Sequence, residues 1–180
     1  MRKVSLTMQV TLDGYVAGPN GQLDWLFRRM DPALEKWTTE YLHTVDTVLL
    51  GRTTYLEQAA AWPQQRTEMA ELMNGHTKVV FSTTLDTLAW NNSRLAAADM
   101  AAEIADLKHR SGKDIYLSGG PTLVQAITRL GLVDEFHLAI HPTVLGRGKP
   151  LFRDHPLDLE HIHTTTYESG IVQHTYRTSR

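Results

Sequence analysis

The sequence predicts a three-layer α/β fold, with a mainly parallel central sheet, helices on both faces of that sheet and an antiparallel hairpin at the C-terminal end. Short apolar stretches typical of buried strands alternate with helical stretches along most of the chain. The C-terminal part is instead β-rich and contains the tight turn Ser169-Gly170. Alternation of strand and helix favours right-handed crossovers, and therefore parallel strands.

Length and composition are those of one ordinary globular domain. The chain has 180 residues, of which 42% are hydrophobic and 21% charged, so we expect residues 1–180 to form a single domain. The chain contains no cysteine, which excludes disulfides, thiolate metal ligands and a cysteine nucleophile.

Charge and hydropathy argue against nucleic-acid and membrane partners. The formal net charge is -2 and no long run of one sign occurs. No stretch approaches the roughly 18 consecutive apolar residues that a membrane helix needs, and the N-terminal residues contain no apolar signal core. We therefore expect a cytoplasmic protein that acts on a small molecule.

The N-terminal part begins with a strand and continues with a helix. Residues 4–16 alternate between apolar and polar side chains, as in a strand, and residues 13–14 break the pattern. Residues 32–45 have helical spacing, with Asp31 in position to cap the helix and Pro32 at its first turn.

The remaining elements follow from the same two periodicities. Short apolar stretches predict strands at residues 46–50, 78–81, 114–117 and 136–144. Helices are predicted at residues 53–61, 99–110 and 121–130, with Asp99 as a cap. Residues 159–167 and 171–178 predict the terminal hairpin.

Three of the predicted strands end in glycine and hydroxyl residues. The three sequences are Gly51-Arg52-Thr53-Thr54, Ser82-Thr83-Thr84 and Ser118-Gly119-Gly120-Pro121-Thr122. Ligands of open α/β sheets bind at the carboxyl ends of strands, and glycine lets a phosphate approach backbone amides at a helix start. Each glycine alone is explained equally well by a turn, but the three sites together predict an anionic dinucleotide. Neither the GxGxxG fingerprint nor a P-loop is present.

These motifs, in their order and spacing, resemble the dihydrofolate-reductase-like superfamily. The branch they resemble most is that of the riboflavin-biosynthesis reductases, the C-terminal domain of bacterial bifunctional deaminase-reductases, which also has small stand-alone members. The resemblance spans roughly residues 4–152. It is carried by the stretches 11–17, 51–55, 82–83, 118–123 and 141–152.

The resemblance implies that NADPH lies across the strand ends. Gly119, Gly120 and the helix start at Thr122 would hold the pyrophosphate, and Val16 and Ala17 would border the nicotinamide. Arg52, Ser82 and Thr83 would lie near the 2′-phosphate, and no acidic residue typical of NADH sites occupies those ends. The full implied set is Val16, Ala17, Gly51, Arg52, Thr53, Thr54, Ser82, Thr83, Gly119, Gly120, Pro121, Thr122 and Leu123.

Four residues are candidates for catalysis and substrate binding. Asp13 is predicted to orient substrate or water, although an Asp-Gly turn explains it equally well. Trp25 resembles the active-site tryptophan of the superfamily, with a core role as the alternative. Asp31 lies one residue away from the position at which the folate reductases carry an acidic residue. Its alternative role is to cap a helix. Tyr55 is the third substrate-binding candidate.

Other polar residues have plainer explanations. No carboxylate–histidine signature joins His155, His161, His163 and His174, so we expect no metal site. Arg147 and Lys149 are either receptors for a substrate phosphate or solvated turn charges.

The resulting functional hypothesis is an NADPH-dependent reductase of a small heterocycle, resembling 5-amino-6-(5-phosphoribosylamino)uracil reductase of riboflavin biosynthesis. That reaction transfers a hydride to C1 of the sugar and opens the ribose. Two alternatives stay open: a dihydrofolate or pterin reductase, and a non-catalytic nucleotide-binding module. The β-rich C-terminal segment could also support a homodimer.

Overall fold

The computed structural model describes residues 1–97 and 99–179, and within them the elements follow the predicted order. The strands are β1 (Val4–Thr11), β2 (Tyr15–Ala17), β3 (Val45–Gly51), β4 (Thr77–Phe81), β5 (Ser93–Leu95), β6 (Asp114–Gly119), β7 (Glu135–His141), β8 (Lys149–Pro150), β9 (Leu159–Thr166) and β10 (Val172–Thr178). The helices are α1 (Asp24–Phe27), α2 (Pro32–His43), α3 (Arg52–Ala61), α4 (Glu68–Gly75), α5 (Met100–His109) and α6 (Pro121–Arg129).

The central sheet is eight-stranded and mainly parallel. Its order is β5-β4-β3-β6-β1-β7-β10-β9. The strands from β5 to β7 pair in parallel, while β10 is antiparallel to both β7 and β9. β2 leaves this sheet and forms a small antiparallel pair with β8. The predicted parallel sheet and C-terminal hairpin are confirmed.

Helices cover both faces of the sheet because the strands bury side chains on both sides. One core joins β1 and β6 to α5 and α6, with Ile104 and Ile127 completely buried. The second core joins β3 and β4 to α2, α3 and α4 through residues such as Tyr41, Tyr55 and Met73. Side chains alternate between faces along a strand, so Leu49 lies in the first core and Leu50 in the second.

The predicted helix caps are confirmed. The Asp31 carboxylate accepts hydrogen bonds from the backbone N–H of Ala33 and Leu34, and Pro32 is the first residue of α2. Asp99 caps α5 through the N–H of Ala102.

Several boundaries differ from the prediction, among them the following three. The strand expected at residues 4–16 ends at Thr11, because the chain turns at residues 13–14 and β2 then pairs elsewhere. The helix expected to reach residue 45 ends at His43, and Val45 already begins β3. β7 ends at His141 instead of residue 144, since the next residue is a proline and has no N–H to donate.

Several short elements have no counterpart in the prediction: α1, α4, β5 and β8. α4 carries a clear start signal, because the Thr67 hydroxyl accepts from the N–H of Ala70. Within the described residues, no helix has both the length and the apolar character needed to cross a membrane.

Candidate cofactor and substrate site

The three strand ends singled out in the sequence are neighbours in space. β4, β3 and β6 lie side by side in the sheet, and Gly51 pairs in register with Phe81 on one side. On the other side, Leu50 pairs with Gly119. Because all three strands run in the same direction, Gly51, Ser82 and Gly119 meet at one edge of the sheet. We call this the carboxyl edge.

Two helices begin at this edge and touch each other there. Gly51 is the N-cap of α3 and Gly120 that of α6, and no side chain of the described residues caps either helix. A Cβ atom added to Gly51 would lie 3.8 Å from the backbone nitrogen of Gly120 and 3.5 Å from Cβ of Leu123. N–H groups in the first turns of both helices, which in α6 begin at Thr122 because Pro121 has none, can therefore receive an anion, and the helix dipoles favour it.

The backbone at Gly119 and Gly120 leaves no room for side chains. The bond between them is cis, and Gly119 has φ +117°, a conformation that residues with a Cβ rarely adopt. A Cβ on Gly120 would lie 2.8 Å from the Thr54 hydroxyl oxygen. The two glycines thus form a cradle that faces the start of α3.

Cationic and hydroxyl groups flank this cradle. The Arg52 side chain is exposed and has no hydrogen bond or ion pair within the described part of the chain. Thr53 and Thr83 are exposed as well, while the Ser82 hydroxyl accepts hydrogen bonds from the N–H groups of Thr84 and Leu85. Arg52 is therefore available to bind a phosphate in a bidentate manner.

The Asp13 carboxylate joins the loop after β1 to the loop after β7. It accepts hydrogen bonds from the Thr11 hydroxyl (2.6 Å) and from the backbone N–H of Leu145 (3.1 Å) and Gly146 (2.7 Å). Desolvation tends to raise the pKa of Asp13, but these hydrogen bonds outweigh it and hold the pKa below its ordinary value. Asp13 is thus an ionised acceptor that positions a loop.

The same two loops are also in close backbone contact. Tyr15 and Ala17 of β2 pair with β8. A Cβ atom on Gly148 would overlap the carbonyl oxygen of Ala17, so only glycine fits at this crossing. Lys149 extends over the neighbouring turn, where its ammonium nitrogen lies 3.5 Å from the position of a Cβ on Gly21.

A cleft of about 200 Å³ lies between these loops. Its lining includes Gly18, Gln22, Trp25, Leu145 and Arg147. Neither Arg147 nor Lys149 has a hydrogen bond or ion pair within the described residues. Val16 and Ala17 are buried directly before the cleft-lining residue Gly18. The cleft therefore adjoins the segment that the resemblance assigns to the nicotinamide.

His141 contacts the cleft-lining Trp25, a contact that the sequence reasoning missed. It is the last residue of β7, is fully buried, and its Nε2 lies 2.6 Å from Oε1 of Gln9. Its ring meets Trp25 edge to face, with centroids 5.1 Å apart. The sequence did contain a signal for His141. The residue lies at the end of a predicted strand region and begins the stretch 141–152, which carries the family resemblance.

Two predicted substrate-binding residues lie elsewhere. Asp31 is buried, and one of its carboxylate oxygens caps α2. The other oxygen accepts a hydrogen bond from the N–H of Ser169. A hydrogen bond with the Ser169 side chain contributes most to keeping the pKa of Asp31 below its ordinary value. Tyr55 lies in the core next to Trp90, whose backbone N–H donates to the Tyr55 hydroxyl at 3.0 Å. Both side chains thus have partners that stabilise the fold, and their roles in substrate binding stay predictions.

The histidines of the hairpin bond to hydroxyl groups. His161 and His174 both contact the Thr164 hydroxyl, at 2.7 and 2.8 Å, and His163 contacts Thr165. Residues 1–97 and 99–179 contain no group of three or more histidine, aspartate or glutamate side chains suited to holding a metal ion.

The parallel sheet and the joined helix starts define a domain with the dihydrofolate-reductase-like fold. The dihydrofolate reductase of Enterococcus faecalis, solved in complex with NADP(H), superposes with a TM-score of 0.68 at 15% identity, over 99% of this chain and 97% of that one. The chain belongs to the RibD C-terminal domain family, whose model matches residues 2–173.

Relatives of this family match the chain over its length. The Bacillus subtilis (strain 168) protein YyaP, itself uncharacterized, is 38% identical over 186 aligned positions, which cover 97% of this chain and 94% of YyaP. A Shewanella sp. PV-4 protein, assigned by its name to riboflavin biosynthesis, is 25% identical with a TM-score of 0.83 over 99% of both chains.

A bifunctional enzyme shares the fold in one of its parts. The Thermotoga maritima diaminohydroxyphosphoribosylaminopyrimidine deaminase/5-amino-6-(5-phosphoribosylamino)uracil reductase has a TM-score of 0.72 at 16% identity. The match covers 99% of this chain but 57% of that protein. The chain therefore has the fold of riboflavin-pathway reductases.

Proposed function

We propose that this protein is an NADPH-dependent reductase of a small heterocycle, acting on a substrate of the 5-amino-6-(5-phosphoribosylamino)uracil type. The observation that carries the proposal is the close approach of the starts of α3 and α6 at Gly51 and Gly120. Arg52, which has no partner within the described residues, lies at the start of α3.

The residues at the carboxyl edge fit a dinucleotide that carries an extra phosphate. The N–H groups at the starts of α3 and α6 would hold the pyrophosphate. Arg52 would hold the 2′-phosphate together with Ser82 and Thr83. Bound there, NADPH would supply the hydride.

The chain's own contribution would be to bind and orient the substrate in a dry cleft. Asp13 would hold the loop that forms one wall, since its oxygens accept hydrogen bonds from Leu145 and Gly146. Arg147 and Lys149, which have no partners within the described residues, would receive an anionic substituent of the substrate.

Folate reduction is less well supported than reduction of the smaller substrate. The folate reductases that the chain resembles carry an acidic residue that protonates the pterin. Both carboxylate oxygens of Asp31 are instead occupied by backbone N–H groups of this chain.

The test is a fluorescence titration of the purified protein with NADPH and, in parallel, NADH. We expect micromolar NADPH binding and much weaker NADH binding. Arg52→Ala should weaken NADPH binding about tenfold or more, because a charge-assisted hydrogen bond contributes about 1.5–3 kcal/mol, and should leave NADH binding unchanged. Arg129→Ala is the matched control, since Arg129 is also exposed and unpaired within the described residues but ends α6.

Turnover is then measured as loss of NADPH absorbance with ribosylamino-pyrimidine, pterin and dihydrofolate substrates. Oxidation with the pyrimidine supports the proposal. Nucleotide binding without oxidation of NADPH by any substrate would favour a non-catalytic nucleotide-binding module, and absence of binding of both nucleotides would refute the reductase.

We also propose a homodimer that uses the hairpin. β9 is an outer strand of the sheet, and most of its residues are exposed, including Ile162 at 47%. Unpaired edge strands readily pair with another chain. Analytical ultracentrifugation should show a dimer for the wild type and a monomer for Ile162→Lys.

A further inference from the structure

A second cleft, of about 370 Å³, lies at the other end of the central strands. Its lining includes Asp46 and Thr47 near the start of β3 and Thr77 at the start of β4. Thr47 and Gly51 are separated by about 13 Å along β3, since a strand rises about 3.3 Å per residue. This second cleft, which we call the amino-edge cleft, is therefore separate from the carboxyl edge, and it shares no lining residue with the cleft beside Trp25.

Three arginine side chains from separate segments line the amino-edge cleft. They are Arg2 ahead of β1, Arg94 in β5 and Arg110 directly after α5. Asp46 is the one carboxylate in the lining within the described residues. The carboxylates that pair with Arg94 and Arg110 lie outside the lining. The side chains that line the cleft therefore carry a net positive charge.

Each of the three guanidinium groups keeps N–H donors that the described chain does not use. A guanidinium has five N–H donors. Within the described residues, Arg2 donates through Nε and Nη2, so Nη1 has no partner. Nε of Arg94, and both Nε and Nη1 of Arg110, also lack a partner in this part of the chain. An oxyanion in the cleft would supply acceptors for these donors.

Arg2 is held in place before any ligand binds. Its side chain is 7% exposed, and Nη2 donates to the Asp46 carboxylate and, at 2.8 Å, to the Thr47 hydroxyl. The backbone N–H of Arg2 donates to the carbonyl oxygen of Lys108, and that of Lys113 donates to Asp46 at 2.8 Å. A guanidinium that is already positioned loses little conformational entropy when it binds a ligand.

The helix ends near this edge do not account for the arginines. Carbonyl groups at a helix C-terminus attract cations, but lysines already serve two of these ends. Lys78 donates to the carbonyl oxygens of Met73 and Asn74 at the end of α4. Lys113 donates to that of His43 at the end of α2. Among the described residues, none of the three arginine side chains donates to a carbonyl in the last turn of a helix.

A phosphate dianion fits this pattern of charge and donors. Guanidinium groups bind phosphate through paired N–H donors, and its three terminal oxygens provide acceptors for more than one arginine. The volume of about 370 Å³ falls within the roughly 300–1,000 Å³ of small-molecule pockets, so there is space for an organic body as well. His76 and Thr77 also line the cleft, which favours a polar body.

We propose that the amino-edge cleft binds a phosphate dianion, either free or as the end group of a small polar phosphate monoester, through Arg2, Arg94 and Arg110. Arg2 would be the fixed part of the site and Arg110 the adaptable part. The ion pair between Arg110 and Asp106 is exposed on both sides, so solvent weakens it and Arg110 can turn toward an anion. The inference does not depend on the proposed reductase, because the nucleotide would bind at the opposite end of the strands.

The test is an NMR titration of the full ¹⁵N-labelled chain at pH ~7.5, where a phosphate monoester is mostly a dianion. The probes are glycerol 1-phosphate, inorganic phosphate and glycerol. The backbone amide signals of Thr77 and Ser111 report on the amino-edge cleft, and those of Thr53 and Thr122 on the carboxyl edge. We expect both phosphates to shift the signals of Thr77 and Ser111, and glycerol to leave them unchanged.

The two phosphates distinguish the sources of the dianion. Tighter binding of glycerol 1-phosphate would identify a monoester as the ligand, as the volume of the cleft favours. Equal affinity would identify inorganic phosphate. Both results support the phosphate site.

Arg110→Gln tests the adaptable arginine. Phosphate affinity should fall about fivefold or more, because a charge-assisted hydrogen bond is lost. Without phosphate the variant should melt at the wild-type temperature, since an exposed ion pair contributes little to stability. Arg110→Lys keeps the charge but not the planar fork, so it should retain part of the affinity. The matched control is Arg129→Gln, at another exposed arginine near a helix end but outside the cleft, and its affinity should equal that of the wild type.

Three results would overturn the inference: amide shifts confined to the carboxyl edge, glycerol binding as tight as that of glycerol 1-phosphate, or equal phosphate affinity in Arg110→Gln and Arg129→Gln. Each would mean that the three arginines serve only their partners within the chain. NADPH binding without phosphate binding at the amino-edge cleft would refute this inference and leave the reductase standing.

Discussion

The Asp13 carboxylate accepts a hydrogen bond of 2.7 Å from the backbone N–H of Gly146, across 133 residues of sequence. This contact holds the loop after β7 against the loop after β1, and the cleft lies beside it. Leu145, which donates to the same carboxylate, lines the cleft directly. Asp13, which the sequence predicts to orient substrate or water, therefore also holds the loop that forms one side of the cleft.

Replacing Asp13 should loosen this wall. Asp13→Asn keeps the size of the side chain but removes the charge and one acceptor, so we expect a higher KM, about tenfold or more, with a smaller change in kcat. Steady-state kinetics measure the split. Asp158→Asn, which removes an exposed carboxylate that does not line the cleft, is the control for a general charge effect.

The same variant has a testable pH dependence of stability. The folded-state pKa of Asp13 lies below its ordinary value of 3.8, so its stabilising effect is complete above the unfolded-state pKa and is lost as the pH falls through the folded-state pKa. The melting temperature of the wild type should exceed that of Asp13→Asn at pH ~7 and approach it at pH ~3 and below. A difference that stays constant with pH would contradict the ionised acceptor.

Gly120→Ala should separate the role of the cradle in folding from its role in binding. The new Cβ would lie 2.8 Å from the Thr54 hydroxyl oxygen, which predicts a loss of about 1–3 kcal/mol in the free energy of unfolding. Adding Thr54→Ala removes that oxygen and should restore most of the stability. NADPH binding should stay about tenfold weaker or more in the double variant, because the Cβ still fills the phosphate space.

The control for this experiment is Gly75→Ala, whose Cβ would have no atom within 4 Å. Urea unfolding and NADPH titration should both match the wild type. Recovery of NADPH binding in the Gly120→Ala, Thr54→Ala double variant would show that the cradle does not hold the nucleotide.

Gly148→Ala should disturb the substrate cleft and leave the nucleotide site at the carboxyl edge unchanged. Its Cβ would overlap the Ala17 carbonyl oxygen and lie 3.2 Å from Cδ1 of Tyr15, so β8 must move away from β2. We expect a lower melting temperature and lower kcat/KM. Affinity for 2′-phospho-ADP-ribose, which lacks the nicotinamide, should stay unchanged in a calorimetric titration, and its loss would show that the two halves of the site are not independent.

Lys78 should make stability depend on pH in the alkaline range. It is 0% exposed, donates to the carbonyl oxygens of Met73 and Asn74 at the end of α4, and lies 4.4 Å from the centroid of a Trp90 ring. Desolvation lowers the pKa of Lys78 to about 8 from 10.5. The folded protein therefore releases this proton at lower pH than the unfolded chain does.

Between these two pKa values the wild type should gain stability relative to Lys78→Met as the pH rises, by up to about 3 kcal/mol, since one pKa unit corresponds to about 1.4 kcal/mol. Urea unfolding of both proteins at pH ~7.5 and pH ~10.5 measures the gain. Lys36→Met, at an exposed lysine, should show no such difference relative to the wild type.

Much of the fold follows from short-range patterns. Asp31 and Pro32 start α2 as predicted, and the strand predicted at residues 78–81 forms within β4. Capping, turn formation and the alternation of side chains depend on residues a few positions apart, and the sequence displays these directly. The cradle glycines belong to the same class, because a turn between a strand and a helix is local.

The contacts that shape the cleft depend instead on how the sheet is ordered. Asp13 meets Gly146, and Gln9 meets His141, only because β1 and β7 are neighbours. Tyr55 shares a motif with Gly51 and Arg52, yet helical geometry turns its side chain into the core. The sequence by itself determined most of the strands and helices and the glycine and hydroxyl residues at the carboxyl edge. Tertiary structure alone decided which polar groups face the cleft, because those pairs lie more than 100 residues apart and are not encoded by any local pattern.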